Sequence, residues 1–154
     1  MSYCTRSDIE KRYGSNAVLA LCDADRSGVL NSDEEGYITA AIEEADEDID
    51  SALGGVYAVP FATVPNKIKT LSAMLAFANL CHRAGRQIEL ANSLHNLANE
   101  DLDKLRGGQM QLKGCSRTDA GGVSDSSAAT FSRTKRDSSG NIVNREERRE
   151  MDNW

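Results

Sequence analysis

The sequence predicts a mainly α protein, a small helical bundle of about five helices with a long, extended or hairpin-forming C-terminal arm. Hydrophobic residues make up 40% of the 154 residues and aromatic residues only 5%. The core must therefore be built from Leu, Ile, Val, Ala and Met, a mixture that favours helix packing over a sheet-rich fold. Apolar residues also recur at steps of three and four along much of the chain, as amphipathic helices require. After Gly114 the composition changes to Ser, Thr, Gly, Asn and charged residues.

This change in composition divides the chain into a helical domain, residues 1–114, and a polar arm, residues 115–154. The arm has too few apolar residues to form a core of its own, so we expect it to become ordered on assembly. A turn at 138–141 would make it a hairpin. Its isolated apolar residues either anchor it or are chance members of a linker, and the candidate anchors are Phe131, Ile142, Val143 and Trp154.

Two short helices are predicted at the start of the domain. Thr5 or Ser7 can cap the first helix, which covers Asp8–Tyr13 and ends at Gly14. The second helix is the apolar run Ala17–Cys22, and a loop follows it.

The third predicted helix, about Asp33–Leu53, is strongly amphipathic. Its apolar stripe consists of Ile38, Ala41, Ile42, Ala45, Ile49 and Leu53. We interpret the opposite face as a solvated acidic surface formed by Glu43, Glu44, Asp46, Glu47, Asp48 and Asp50.

Two longer helices complete the predicted bundle. The fourth follows Pro65 and ends near Ala84, and the fifth covers about Ile88–Leu105. Because apolar residues cover more than half of the circumference of the fourth helix, we expect it to be central and to be contacted on several sides.

Residues 23–34 match the twelve-residue calcium loop of an EF-hand, with Gly28 at the sharp turn. Six or seven oxygens must converge on a hard cation, and here they would come from Asp23, Asp25, Ser27, the Val29 carbonyl, Asn31 through water, and bidentate Glu34. EF-hands usually work in pairs, and the sequence has no second loop of this kind. Two interpretations stay open: a calcium site that stiffens the loop, or a loop whose Asp and Ser side chains only cap helices and turns. Calcium is thus the single candidate cofactor.

Motifs for catalysis are absent from the sequence, so we predict that the chain is not an enzyme. The two histidines, His82 and His95, belong to no metalloprotease, nucleophile-elbow or phosphate-loop pattern. The four cysteines are far apart and form no CxxC, which is typical of reduced packing cysteines in a protein made in a cytoplasm. No signal peptide is recognisable, and the longest apolar stretch, Leu71–Cys81, is about half of a membrane span. We expect a soluble protein.

Charge is distributed unevenly along the chain. Residues 1–50 hold 13 acids against 4 bases, residues 51–115 hold 4 acids against 7 bases, and residues 116–154 hold 7 of each. An acidic end and a mildly basic middle suit head-to-tail self-association. The alternative is that two solvated surfaces simply differ in charge.

Several segments, taken in order, resemble a family of small tailed-phage proteins, the phage Mu-type small head-region proteins. The resemblance covers about residues 2–114, although the Ser-rich arm has no counterpart and Gly55-Val56-Tyr57 replaces the expected Gly-Arg-Tyr. The matching segments are Tyr3 to Gly14, Leu21 to Asp25 with Gly28, Ala41, Ala45, Ile49 to Ser51, Leu53 and Gly54 before Tyr57 and Pro60, and Val64-Pro65 with Ile68-Lys69.

The resemblance implies a head–tail connector, also called an adaptor or head-completion protein. Such virion subunits form a ring, commonly twelve-fold, at the head–tail junction, and are made in the bacterial host cytoplasm. The implied partners are further copies of the chain, the portal protein and a tail or tail-terminator protein, with no membrane and no sequence-specific nucleic acid. In a ring, the acidic third helix would pair with basic groups of the next subunit, and the candidate interface residues are Glu43, Glu44, Glu47, Lys67, Lys69, Arg83 and Arg86.

Two alternatives to the connector remain. The first is a calcium-binding helical protein with a single EF-hand-like loop, which calcium titration would reveal. The second is a DNA-binding regulator that uses the first two helices as a helix-turn-helix. The acidic N-terminal half argues against the second alternative, because DNA is a polyanion.

Overall fold

The computed structural model describes residues 2–118 and confirms the predicted five-helix architecture. The candidate arm anchors, which all follow residue 118, lie outside the described residues. The five helices are α1 (Arg6–Tyr13), α2 (Ser15–Cys22), α3 (Ser32–Leu53), α4 (Asn66–Ala84) and α5 (Ile88–Arg106).

Helix α4 is the centre of the bundle. It packs most extensively against α3 and α5, and it also contacts α1 and α2. More than half of its residues are buried, among them Ile68, Leu75 and Phe77. Within residues 2–118, no helix is long and apolar enough to cross a membrane.

The helix ends are determined by local hydrogen bonds. At α1, the Thr5 hydroxyl accepts the N–H of Asp8, and the Asp8 carboxylate accepts the N–H of Thr5, which forms a capping box. At the other end of the bundle, α4 stops at Gly85, whose φ of 63° is left-handed. Arg86 then donates its N–H to the Cys81 carbonyl at 3.1 Å, an arrangement that satisfies one of the last carbonyls of the helix.

The N-terminal segment is attached to the bundle by a buried polar network. The Tyr3 N–H donates to the Asp46 carboxylate at 2.9 Å, and the Ser72 hydroxyl donates to the same carboxylate at 2.7 Å. The Tyr3 hydroxyl is hydrogen-bonded to Asp50 and accepts the N–H of Phe61 at 3.3 Å. The prediction that Asp46 and Asp50 belong to the solvated face was therefore wrong, since Asp46 is only 9% exposed and both carboxylates have partners inside the protein.

The first residues after Gly114 pack on the helical domain. Thr118 donates its N–H to the Val56 carbonyl at 2.8 Å. The Arg117 guanidinium donates to the carbonyls of Leu105 and Arg106, at 3.2 and 3.0 Å, and so contacts the C-terminal end of α5. The Thr118 bond connects the segment after α5 to the loop between α3 and α4, and the Arg117 bonds connect it to the end of α5.

Candidate functional site

The predicted calcium loop joins α2 to α3, and its three carboxylates converge. One oxygen from each of Asp23, Asp25 and Glu34 lies within 4.8 Å of the other two. Glu34 is 2% exposed, whereas Asp25 is exposed and Asp23 is half-buried. The structure therefore brings together the three carboxylates among the six ligands predicted from the sequence.

Backbone N–H groups of the loop already contact the two aspartates. Asp23 accepts the N–H of Ser27 at 3.0 Å and that of Gly28 at 2.8 Å. Asp25 accepts the Ser27 N–H at 2.9 Å, and hydrogen bonding from Ser27 lowers the pKa of the Asp25 carboxyl. Each carboxylate has about four lone-pair sites, so these bonds leave acceptor capacity for a cation.

Glu34 and Asn31 close the other end of the loop. The Glu34 carboxylate accepts the N–H of Ala24 at 2.8 Å and that of Asn31 at 3.0 Å. The Asn31 side chain caps α3 by accepting the N–H groups of Asp33 and Glu34, each at 3.0 Å. The Val29 carbonyl accepts the Ser27 hydroxyl at 2.8 Å. The loop thus has the hydrogen bonds expected if its side chains only cap helices and turns. In the same geometry, it also has the convergent carboxylate oxygens expected of a calcium site.

The acidic surface of α3 is smaller than predicted, and its four remaining carboxylates are exposed. Glu43, Glu44, Glu47 and Asp48 are all exposed. Within residues 2–118, none of these four carboxylates forms an ion pair. We call these four residues the acidic face of α3.

All four predicted basic interface groups contact other residues of the same chain, and the first of these is Lys67. Its ammonium lies 2.5 Å from a carboxylate oxygen of Asp101, which is 15% exposed. The hydrogen bond from Lys67 lowers the pKa of the Asp101 carboxyl below its ordinary value. This pair connects the N-terminal end of α4 to the C-terminal half of α5.

The two predicted arginines at the end of α4 also have internal contacts. The Arg83 guanidinium stacks over the ring of Tyr37 on α3. Arg86 donates to the Ala20 carbonyl at 2.8 Å and so ties the end of α4 to α2. Both contacts join helices of one bundle, which is a structural role that residue type alone did not indicate.

Lys69, the fourth predicted basic group, lies in a basic groove. The groove runs between α1 and α4 and has a volume of about 310 Å³. Lys69, whose side chain is 46% exposed, is 3.8 Å from Asp8, while the Arg12 guanidinium reaches the Met74 sulfur at 3.6 Å. We call this the α1–α4 groove; it is lined by Asp8, Lys11, Arg12, Lys69, Thr70 and Ala73.

Sequence reasoning missed the contribution of Lys11 and Arg12 to this groove. The available signal was local: both lie in the last turn of α1, where cations complement the helix dipole. Their proximity to Lys69 results from the packing of α1 on α4, and no spacing in the sequence encodes that contact.

The two histidines, His82 on α4 and His95 on α5, lie close to each other. Their ring centroids are 5.6 Å apart, and His95 Nε2 is 2.9 Å from the Asn79 side-chain oxygen. His82 is exposed and His95 is half-buried.

Comparison with known protein families gives a match over most of the chain. Residues 3–130 match the family described as Bacteriophage Mu, Gp36, a range that includes all five helices. No curated protein matches the chain. The family match confirms the resemblance to phage Mu-type proteins that the sequence segments indicated. Because the match covers most of the 154 residues, the chain belongs to the Bacteriophage Mu, Gp36 family, a family of bacteriophage proteins.

Proposed function

We propose that the chain is a structural, non-enzymatic virion protein, a head–tail connector subunit that forms a ring between the portal and the tail of a tailed phage. The family match over residues 3–130 is the observation that carries this proposal. The fold supports it, because a helical bundle with an acidic face and a separate basic groove is suited to repeated contacts between identical copies.

The proposed assembly has three kinds of partner: further copies of the chain, the portal protein on the head side, and a tail or tail-terminator protein on the other side. Contacts between unlike surfaces of identical subunits close into a ring when the rotation between neighbours divides a full turn. Such a ring places identical surfaces of every copy on its two sides, where the portal and the tail would bind. The proposed location is accordingly the head–tail junction of the virion.

Electron microscopy of a phage whose copy of this gene carries an early stop codon tests the proposal. We expect DNA-filled or leaking heads next to unattached tails of normal length, and we expect the intact gene supplied in trans to restore joined particles. Complete, infectious virions in the mutant lysate would contradict the connector role.

A calcium-binding protein is the second candidate function, and the observation that favours it is the convergence of Asp23, Asp25 and Glu34 within 4.8 Å. Carboxylate and carbonyl oxygens are the ligands that calcium prefers. The loop closes through its own hydrogen bonds, so the role of the ion would be to stiffen the link between α2 and α3.

Calorimetric titration of the full-length chain with calcium separates this candidate from the connector. If the loop is a calcium site, Asp25→Asn should weaken binding by at least about tenfold, because it removes one charged ligand and leaves the fold intact. Asp48→Asn, on the acidic face of α3, is the matched control and should bind calcium as the wild type does. Absence of binding by the wild type at millimolar calcium would exclude the candidate.

A further inference from the structure

The α1–α4 groove has an excess of positive charge that no carboxylate within residues 2–118 fully neutralises. Lys11, Arg12 and Lys69 line it against the single carboxylate of Asp8, so its net charge is +2. The ammonium of Lys69 is 3.8 Å from Asp8, at the outer limit of an ion pair, and Lys11 forms no ion pair within residues 2–118. Exposed cations grouped around a groove are suited to bind an anionic partner.

The acidic face of α3 has the opposite property. Glu43 and Glu47 are four residues apart, so their side chains lie on the same side of the helix, one turn from each other. Glu44 and Asp48 extend the charge around the helix. Like charges at this spacing repel each other and weaken the isolated helix slightly, and a cationic surface placed against them would remove that repulsion.

We propose that the α1–α4 groove binds the acidic face of α3 from a second copy of this chain. The inference rests on the proposed ring and specifies its subunit contact. A groove of about 310 Å³ accommodates side chains but no helix, which is about 10 Å across. Glutamate side chains of the second copy therefore enter the groove, while its α3 lies across the opening.

The two surfaces can be used at the same time by one copy. The groove belongs to α1 and α4, the acidic face belongs to α3, and they share no residue. Each copy therefore contacts one neighbour through its groove and another through its acidic face, which is the head-to-tail contact that builds rings. Of the predicted basic groups, Lys67, Arg83 and Arg86 make contacts that join helices of the subunit, whereas Lys69 lies in the groove with two further cations.

A second copy fits the groove better than a nucleic acid does. Three cations around one carboxylate make a small basic patch, whereas a nucleic-acid interface usually has cations clustered along a whole face or helix of a basic domain. The net charge of the whole chain is −6, which further disfavours binding to a polyanion.

Charge exchange in the full-length chain, carried by a phage, tests the contact. Lys11→Glu with Lys69→Glu reverses the groove, and Glu43→Lys with Glu47→Lys reverses the acidic face. Each pair alone should lower the titre of infectious particles by at least about tenfold, because like charges then face each other at every subunit contact. All four substitutions together should restore the titre to within about threefold of the wild type, because attraction is re-established. Arg12 is left unchanged because it packs on Met74.

Arg26→Glu with Lys113→Glu is the matched control, because both side chains are exposed and neither forms an ion pair within residues 2–118. It changes the net charge by the same amount at cations outside the groove, and it should leave the titre within about threefold of the wild type. Thermal unfolding of each purified variant checks that the bundle is intact. A fourfold variant no better than either pair would overturn the proposal, and nucleic-acid binding lost only in the groove variants would assign the groove to DNA instead.

Cross-linking distinguishes failure of this contact from failure of the connector role. A zero-length carbodiimide is applied to an equal mixture of ¹⁴N- and ¹⁵N-labelled full-length chain, both in purified particles and in concentrated solution. We expect links from Lys11 or Lys69 of one copy to Glu43 or Glu47 of another. Particles that lack the chain would refute the connector role, whereas absence of these links between copies in both samples would refute the contact.

Discussion

The carboxylate of Asp46 joins three segments that are far apart in the sequence. It accepts the N–H of Tyr3 and the hydroxyl of Ser72, and it lies on α3 next to the core. A buried carboxylate with two short hydrogen bonds helps to determine how the N-terminal segment lies across α3 and α4, because buried donors need an acceptor.

We expect Asp46→Ala to lower the free energy of unfolding by about 2 to 3 kcal/mol, since it removes the buried carboxylate that accepts hydrogen bonds from the Tyr3 N–H and the Ser72 hydroxyl. Urea denaturation followed by circular dichroism measures the change. Asp48→Ala, an exposed neighbour on the same helix, should change it by less than about 0.5 kcal/mol. Equal effects of the two substitutions would contradict the role of Asp46.

The position of Asp46 in the helical pattern indicates burial, although aspartate is usually an exposed residue. Asp46 follows Ile42 by four residues and precedes Ile49 by three, so it borders the apolar stripe of α3. Its donors, Tyr3 and Ser72, are 43 and 26 residues away, and a separation of that size has no local pattern that could have identified them.

The four cysteines differ in how accessible their thiols are to solvent. Cys4, Cys22 and Cys81 are buried, Cys115 is half-buried, and all four are free. Burial raises the pKa of the Cys4 thiol to about 11, and it raises the pKa of Cys22 and of Cys81 as well. Thiolate is the reactive form, so the three buried thiols should react slowly in the folded protein.

With Ellman's reagent at pH 8, we expect one thiol per native chain to react rapidly and the other three at least about tenfold more slowly. All four should react at once in guanidinium chloride. Cys115→Ser should remove the rapid phase and leave the slow phase unchanged. Rapid reaction of the remaining thiols in that variant would show that the core is more open than described.

At the scale of the helices, boundaries were predicted well wherever a cap or a glycine determines them. Thr5 begins α1 through its capping box, and Gly85 ends α4 with a left-handed conformation. The pairing of helices was predicted less well. The amphipathic pattern indicates which face of each helix is buried but does not indicate its neighbour, and so the groove between α1 and α4 was not foreseen.

The Lys67–Asp101 pair between α4 and α5 makes stability dependent on pH. The pKa of Asp101 is lowered in the folded state, so the pair stabilises the protein above the ordinary pKa of an aspartate, about 3.9, and the contribution is lost as the pH falls through the lower folded value. Asp101→Asn should therefore reduce stability at pH 7 by no more than about 1 kcal/mol, because Lys67 is partly exposed.

Denaturation of Asp101→Asn and of the wild type between pH 2 and pH 7 tests this pair. The difference between the two proteins should shrink below about pH 4 and vanish once the wild-type carboxyl is protonated. Asp103→Asn, at an exposed pair with Arg106, is the control and should show a smaller difference at every pH. A difference that stays constant down to pH 2 would exclude the ion pair as its cause.

At the scale of the whole molecule, the fold class and the family were both predictable from the sequence, because helical periodicity and ordered family segments each extend over much of the chain. The domain boundary at residue 114 rests on composition alone, and it stays a prediction. Residues 117 and 118 contact the bundle although both are polar. The contacts are hydrogen bonds from the Arg117 guanidinium and from the Thr118 backbone N–H.

Truncation tests where the helical domain ends. A variant that stops after Thr118 keeps the bonds to Val56 and to the end of α5, so it should unfold cooperatively with a midpoint close to that of the full-length chain. A variant that stops after Gly114 loses these bonds and should be less stable by about 1 to 3 kcal/mol. Equal stability of the two variants would show that residues 115–118 add nothing to the domain.

A cryo-electron-microscopy reconstruction of the head–tail junction tests most directly the proposal that this chain forms a ring between portal and tail. We expect a closed ring of identical subunits into which α3, α4 and α5 fit, with the acidic face of each α3 against the α1–α4 groove of its neighbour. A complete junction with every density assigned to other proteins would contradict the connector role. A ring of this chain with other surfaces in contact would retain the role and refute the interface.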